Sequence, residues 1–180
     1  MAILEIRTFG DPVLRQKAPP VEHITDDHRR LVNDMIETMR EAPGVGLAGP
    51  QVGVLARVFV YEVEEEVGAI FNPVVVARSR DMVDEEEGCL SLPGLLFEVT
   101  RHLDVRVEGL DVNGTPVVKE GTELLGRVFQ HEIDHLDGVL FIDRLPGKLR
   151  RKAMRELTRQ SLGLGDDPET AHPAKAEEIL

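Results

Sequence analysis

The stretch that most constrains this chain is residues 122–138, TELLGRVFQHEIDHLDG. Leu124, Leu125, Val128, Phe129, Ile133 and Leu136 recur at steps of three and four, the period of a helix with one buried face. Thr122 suits the N-cap, and Gly138 suits the left-handed position just past the end. Gly126 weakens such a helix relative to Ala, and it leaves room for another backbone to come close. On this helix His131 and His135 are offset by only about 40° around the axis, so they face the same way. They can grip one metal ion from one face. Glu132, beside the first histidine, can reach a water on that ion without being a ligand itself. The plainer alternative is a pair of ordinary histidines on a half-buried face.

The remaining pattern predicts what this helix packs against. Asp11-Pro12 can start a short helix over 13–17, with Asp as N-cap and Pro at the first position. A helix over 25–41 carries Leu31, Val32, Met35, Ile36 and Met39 as one apolar stripe, and these methionines read as core. Residues 43–51, PGVGLAGPQ, break any periodicity. Residues 57–61 and 69–78 read as strands around an acidic tip at 62–66, with Asn72-Pro73 as a bulge or a start. Residues 95–101 and 103–110 alternate apolar and polar. Asn113-Gly114 signals a hairpin that pairs 105–111 with 115–119. A short extended piece at 139–142 and a final helix over 148–162 follow. Helix, several antiparallel strands, helix, helix is an α+β order rather than alternating βα. The expectation is antiparallel β-sheets packed around a central metal-binding HExxH helix, with one N-terminal and one C-terminal helix. Residues 1–163 form a single catalytic domain in this reading. Residues 164–180, polar and punctuated by Gly and Pro, form a flexible tail.

Composition narrows the setting. At 180 residues there is room for one domain with a core. No run of 18 apolar residues is present, so no transmembrane helix and no membrane partner are expected. The first residues, MAILEIRTFGDP, show no secretory pattern. A single cysteine excludes an internal disulfide and places the chain in the reducing cytoplasm. A net charge of −12 argues against nucleic-acid binding by the body of the protein.

A catalytic metal site needs three protein ligands and one open position, so a third ligand must be found. A metzincin-like pattern would place a histidine at 141, which is Phe141, although Gly138 matches its glycine. A thermolysin-like pattern needs a downstream Glu. The best-placed one, Glu156, lies close in sequence within a basic helix. Upstream stands Cys89, in Glu87-Gly88-Cys89-Leu90-Ser91. A lone cysteine is commonly a small buried hydrophobe. In a polar, Gly-flanked segment of a chain short of one soft ligand, it is the preferred candidate.

Three segments now stand in order: Gly44-Val45-Gly46-Leu47-Ala48-Gly49-Pro50-Gln51, Glu87-Gly88-Cys89-Leu90-Ser91 and Gln130-His131-Glu132-Ile133-Asp134-His135. Together they resemble the three motifs of the peptide deformylases, over about residues 3–160. The resemblance implies a hydrolase of protein biosynthesis. It removes the formyl group from N-formylmethionine at the start of new chains, as co-translational processing, and releases formate. It implies one divalent metal ion, Fe²⁺ physiologically and Zn²⁺, Ni²⁺ or Co²⁺ as alternatives, held by Cys89, His131 and His135. A hydroxide on that ion is then the nucleophile, and Glu132 is the general base and acid. The side-chain amide of Gln51 and the backbone N–H of Leu90 stabilise the oxyanion. Val45 and Gly46 hold the substrate backbone by strand-like hydrogen bonds. Leu124 and Val128 are candidates for the wall of the methionine pocket, with Val45 opposite, and ordinary core is the alternative for them.

Two departures stand out. Gly49 replaces a common Ala, which loosens the strand without removing a reactive group. Pro43 replaces an acid that commonly pairs with an arginine beyond the cysteine motif, which leaves Arg101 without that partner. Lastly, Lys148, Arg150, Arg151, Lys152, Arg155 and Arg159 crowd one helix of an acidic protein. Helix 148–159 reads either as a solvated face or as a docking surface for the ribosome, through its RNA phosphates. A zinc endopeptidase and a non-catalytic domain with a structural metal remain the competing readings. The first lacks a downstream ligand, and the second lacks a fourth ligand and leaves Glu132 idle.

Overall fold

A computed structural model describes residues 2–164 and 180. Its elements are α1 (Asp26–Glu41), β1 (Gly46–Ala48), β2 (Val58–Val63), β3 (Glu66–Arg78), β4 (Met82–Glu87), β5 (Phe97–His102), β6 (Asp104–Leu110), β7 (Pro116–Thr122), α2 (Glu123–Leu136) and α3 (Gly147–Ser161). Short 3₁₀ turns lie at Pro12–Arg15, Gly49–Val52 and Phe141–Asp143. Antiparallel sheets with three helices match the expected α+β class.

The main sheet has the order β1-β2-β3-β6-β7, and β4 and β5 form a separate two-stranded ribbon. Strand β2 shows why the main sheet sits between helices. Its alternate residues point to opposite faces, and both faces are covered. Val58 and Val60 join Val32, Met35 and Met39 of α1. Phe59 and Tyr61 join Val128, Phe129 and Ile133 of α2. A strand buried on both sides reads as an unbroken apolar run, which is what VFVY is. On the α2 face Phe59, Tyr61 and Phe129 form a triangle with ring centroids 5.0–6.0 Å apart, each pair contributing about 0.5–1.5 kcal/mol beyond area burial.

The expected bulge is present: the β3–β6 register shifts between Phe71 and Val74, and Asn72 there has φ 50°. Gly126 does admit a close backbone. A Cβ on it would lie 2.8 Å from the Leu103 carbonyl oxygen and 2.9 Å from that of Gly121, so α2 sits directly on the β5–β6 and β7 connections. A third cluster joins Ala153 and Leu157 of α3 to Cys89, Leu92, Val99 and Phe141.

Two strands lie beyond the sequence reading, and one expectation changes. Residues 82–87, MVDEEE, form a strand that pairs with β5 along its whole length. Its side chains are mostly exposed acids, so no apolar alternation announced it. The glycine-rich segment contains β1, held antiparallel to β2 with Leu47 opposite Val60. The predicted extended piece at 139–142 is instead the 3₁₀ turn at Phe141–Asp143, whose two apolar side chains are buried against α3. The expected flexible tail falls mostly on 165–179, outside the described residues. Leu180 itself is buried. Among the described residues no helix is long and apolar enough to cross a membrane.

Candidate metal centre

Every residue of α2 from Gly126 to Leu136 is buried. His131 and His135 therefore present their rings into the interior, with Nε2 atoms 3.2 Å apart. Cys89 follows β4 in a turn closed by the Leu92 N–H on the Cys89 carbonyl, at 2.9 Å. Its Sγ lies 3.2 Å from His135 Nε2. The three ligand atoms all fall within 4.8 Å of one another.

The N-terminal segment brackets this turn. The Arg7 N–H donates to the Gln51 carbonyl at 2.7 Å, and the Phe9 N–H to the Ser91 carbonyl at 2.9 Å. The 3₁₀ turn bearing Gln51 is thereby held beside the cysteine turn. Gln51 is fully buried. Its Oε1 accepts from the Ala48 N–H at 2.7 Å, which fixes the amide with Nε2 toward Ser91 Oγ (3.3 Å) and Cys89 Sγ (3.7 Å).

A buried ionic network surrounds the group. His131 Nδ1 donates to Glu87 Oε2 at 3.1 Å, which leaves the lone pair on Nε2, facing Cys89 and His135. Glu87 also accepts two hydrogen bonds from Arg101, at 2.8 and 3.0 Å, and one from Arg127 at 2.8 Å. Burial pushes the Glu87 carboxyl up, but the bonds from His131 and Arg101 outweigh it and hold it below the usual carboxylate range. Arg101 lacks an acid at position 43, as the sequence indicated. It is nevertheless paired, through Glu87 and through Asp134 at 2.6 Å. Its partners come instead from the cysteine motif and from α2. Asp134 in turn accepts from Arg144 at 2.6 and 3.0 Å.

The residues present fit a metal ion. Two imidazole nitrogens and a sulfur converge, and the orientation of His131 turns a lone pair toward the other two. Lone pairs that close repel unless a cation or proton lies between them. Burial, and next the neighbouring His131, hold His135 well below its ordinary pKa, so it is neutral. Burial likewise pushes the Cys89 thiol up. Glu132 is fully buried, and neither of its oxygens has a hydrogen-bond partner among the described residues. Burial, then the nearby Glu87, raises its pKa well above the ordinary carboxyl value. A sulfur with two imidazoles is a donor set that suits several divalent transition ions. Three protein ligands are the number found in catalytic rather than structural centres.

The remaining predicted residues lie around this group. Gly46 is directly against Glu132: a Cβ on it would fall 2.9 Å from Glu132 Cδ. Val45 and Val128 share one apolar cluster, with Leu124 packed on its edge. The Leu90 N–H points at the Leu180 carbonyl oxygen, at 3.0 Å. The sequence reading missed Glu87, Arg127 and Ser91 as supports of the site. A signal for Arg127 was available, because an arginine one turn before His131 on a buried stripe needs a buried acid.

Fold and site define a class: an α+β protein with a buried Cys-His-His group, two of whose members flank Glu132 on one helix. The chain belongs to the polypeptide deformylase family, whose pattern residues 3–151 match, and it is an enzyme of that family. It is 52% identical over 157 residues to the peptide deformylase of Acidothermus cellulolyticus, covering 87% of each chain. The crystal structure of peptide deformylase from Thermus thermophilus is 50% identical, with a TM-score of 0.81 over 90% of this chain and 96% of that one. Peptide deformylase from Ehrlichia chaffeensis, solved in complex with actinonin, has a TM-score of 0.85 at 36% identity, over 89% of this chain and 98% of that one.

Proposed function

We propose that this enzyme removes the formyl group from the N-terminal N-formylmethionine of newly made polypeptides and releases formate. The observation that carries the reading is the convergence of Cys89, His131 and His135 beside a Glu132 carboxylate without a partner among the described residues, in a chain of this family. Cys89, His131 and His135 would hold one divalent ion, Fe²⁺ in the cell, with Zn²⁺, Ni²⁺ or Co²⁺ in its place in a preparation. When bound, such an ion supplies a Lewis acid and lowers the pKa of water.

The protein's own groups do the rest. Glu132 takes a proton from the attacking water and passes it to the departing amine as the formyl C–N bond breaks. Its burial suits it, since a carboxyl raised toward neutrality can both accept and return a proton. The Gln51 amide and the Leu90 N–H donate to the oxyanion that forms on the formyl oxygen. Gln51 is aimed in advance by Ala48 and Ser91, so little reorganisation is needed. Strand β1 is one edge of the main sheet. The Glu62 N–H donates to the Val45 carbonyl, so the antiparallel alternation turns the backbone groups of Gly46 to the open edge. A peptide can add there as a further strand, which reads backbone and not sequence. Val45, Val128 and Leu124 line the methionine pocket. The enzyme acts in the cytoplasm, and α3 docks on the ribosome.

The test is formate release from a formyl-Met peptide by protein loaded anaerobically with Fe²⁺ or Ni²⁺. Glu132→Ala should keep its metal and lose about 10²–10⁴ in rate. No formate from metal-loaded wild type refutes the function, and full activity in the variant refutes the mechanism.

A further inference from the structure

Leu180 is distant in sequence from everything described above, yet it is 2% exposed. It lies in the same cluster as Val45, Val128, Phe129 and Ile133. Its carbonyl oxygen accepts the Leu90 N–H at 3.0 Å. The proposed function assigns the substrate to the Leu90 donor, the Val45 segment and the Val128 wall. Leu180 takes the first directly and is buried in the same apolar cluster as the other two. Its side chain also has the right size, because Leu and Met replace each other in packed sites at nearly constant volume.

We infer that Leu180 is a tethered occupant of the substrate cleft, set on the Leu90 N–H and in the apolar pocket, and that it must leave before a peptide can bind. This rests on the proposed function for the identity of the displaced ligand, while the occupancy itself does not depend on it. Being part of the same chain, Leu180 competes at an effective concentration independent of enzyme concentration, which for an intramolecular ligand reaches the millimolar range. An occupant present nine-tenths of the time raises the apparent KM about tenfold and leaves kcat unchanged. A residue that merely completed the core would instead lower stability or kcat when replaced.

The experiment uses the full chain, zinc-loaded, as wild type and as Leu180→Ser. The formyl-Met peptide assay should show a KM about three- to tenfold lower in the variant at equal kcat. In ¹⁵N-labelled protein the Leu90 amide resonance should differ between the two chains. A synthetic peptide of residues 171–180, added to the variant, should bring that resonance back to the wild-type position, and the same peptide ending in Ser should not. If wild type releases no formate, the proposed function fails but the Leu90 resonance still decides occupancy. Identical Leu90 resonances, no response to the peptide, or a fall in kcat at unchanged KM would each overturn the inference.

Discussion

Glu132 is a costly residue to hold where it stands. A carboxyl group out of water with no hydrogen-bond partner costs several kcal/mol unless something meets it, and neither of its oxygens is met by a described residue. Gly46 explains how it fits. A Cβ at 46 would come within 2.9 Å of Glu132 Cδ and 3.1 Å of Cγ. Gly→Ala at an unstrained position commonly stabilises by about 0.4–1 kcal/mol through the unfolded state. Here the clash should win, because Glu132 is fully buried on α2 and its carboxyl must displace packed neighbours to move. Gly46→Ala is expected to destabilise by about 1–3 kcal/mol in urea unfolding and to lower kcat by displacing Glu132. The double variant Gly46→Ala/Glu132→Ala should recover most of that stability, since it removes the far side of the clash. An equal cost of Gly46→Ala in both backgrounds would show that the two side chains do not compete for this space.

At the level of elements, the ribbon β4–β5 is fastened to α2 by charge rather than by apolar packing. Arg127 is 2% exposed. It donates to Glu87 and to the Val99 carbonyl, both at 2.8 Å, and to Glu85 at 3.1 Å. The Glu85 arm is half-exposed and contributes little. The Glu87 arm is wholly buried, and its loss leaves that carboxylate one donor short beside His131. Arg127→Met should therefore cost about 3–5 kcal/mol, read from the urea midpoint. It should also weaken zinc binding about 10–100-fold through the loosened His131. Arg127→Lys should rescue only part of either loss, because an ammonium cannot reproduce a fork that reaches Glu87, Glu85 and a carbonyl together. A zinc affinity unchanged in Arg127→Met would separate this network from the metal group. The same network shows where the sequence could be read and where it could not. Helix α2 and strand β2 were legible because their burial is apolar and periodic. Strand β4 was not, since MVDEEE turns acids to solvent and uses Glu87 for ion pairing. The three motifs brought Cys89 to His131 and His135. No spacing rule could show that Arg7 and Phe9 bracket the Gln51 and Ser91 turns.

For the whole molecule, the distribution of charge matters more than its sum. A chain of net charge −12 is repelled by nucleic acid in general, so any attraction must be local. The proposed ribosome contact falls on helix α3: Lys148, Arg150, Arg151 and Arg155 are exposed, while Ala153 and Leu157 on the other side are buried in the cluster that also contains Cys89. One face of α3 thus holds the helix to the catalytic body, and the opposite face offers cations at positions free to meet phosphates. Arg150 is partly engaged by Asp143 at 3.0 Å, which directs the test to Arg151 and Arg155. The double charge reversal Arg151→Glu/Arg155→Glu should weaken ribosome binding and lower the slope of log affinity against log salt by about 2, one per lost phosphate contact. Formate release from a free formyl-Met peptide should not change, because neither side chain belongs to the metal group or the cleft. Ribosome cosedimentation across a salt series reads the first, and the peptide assay reads the second. Binding and salt slope equal to wild type would mean that these cations only solvate a helix whose work lies on its other face.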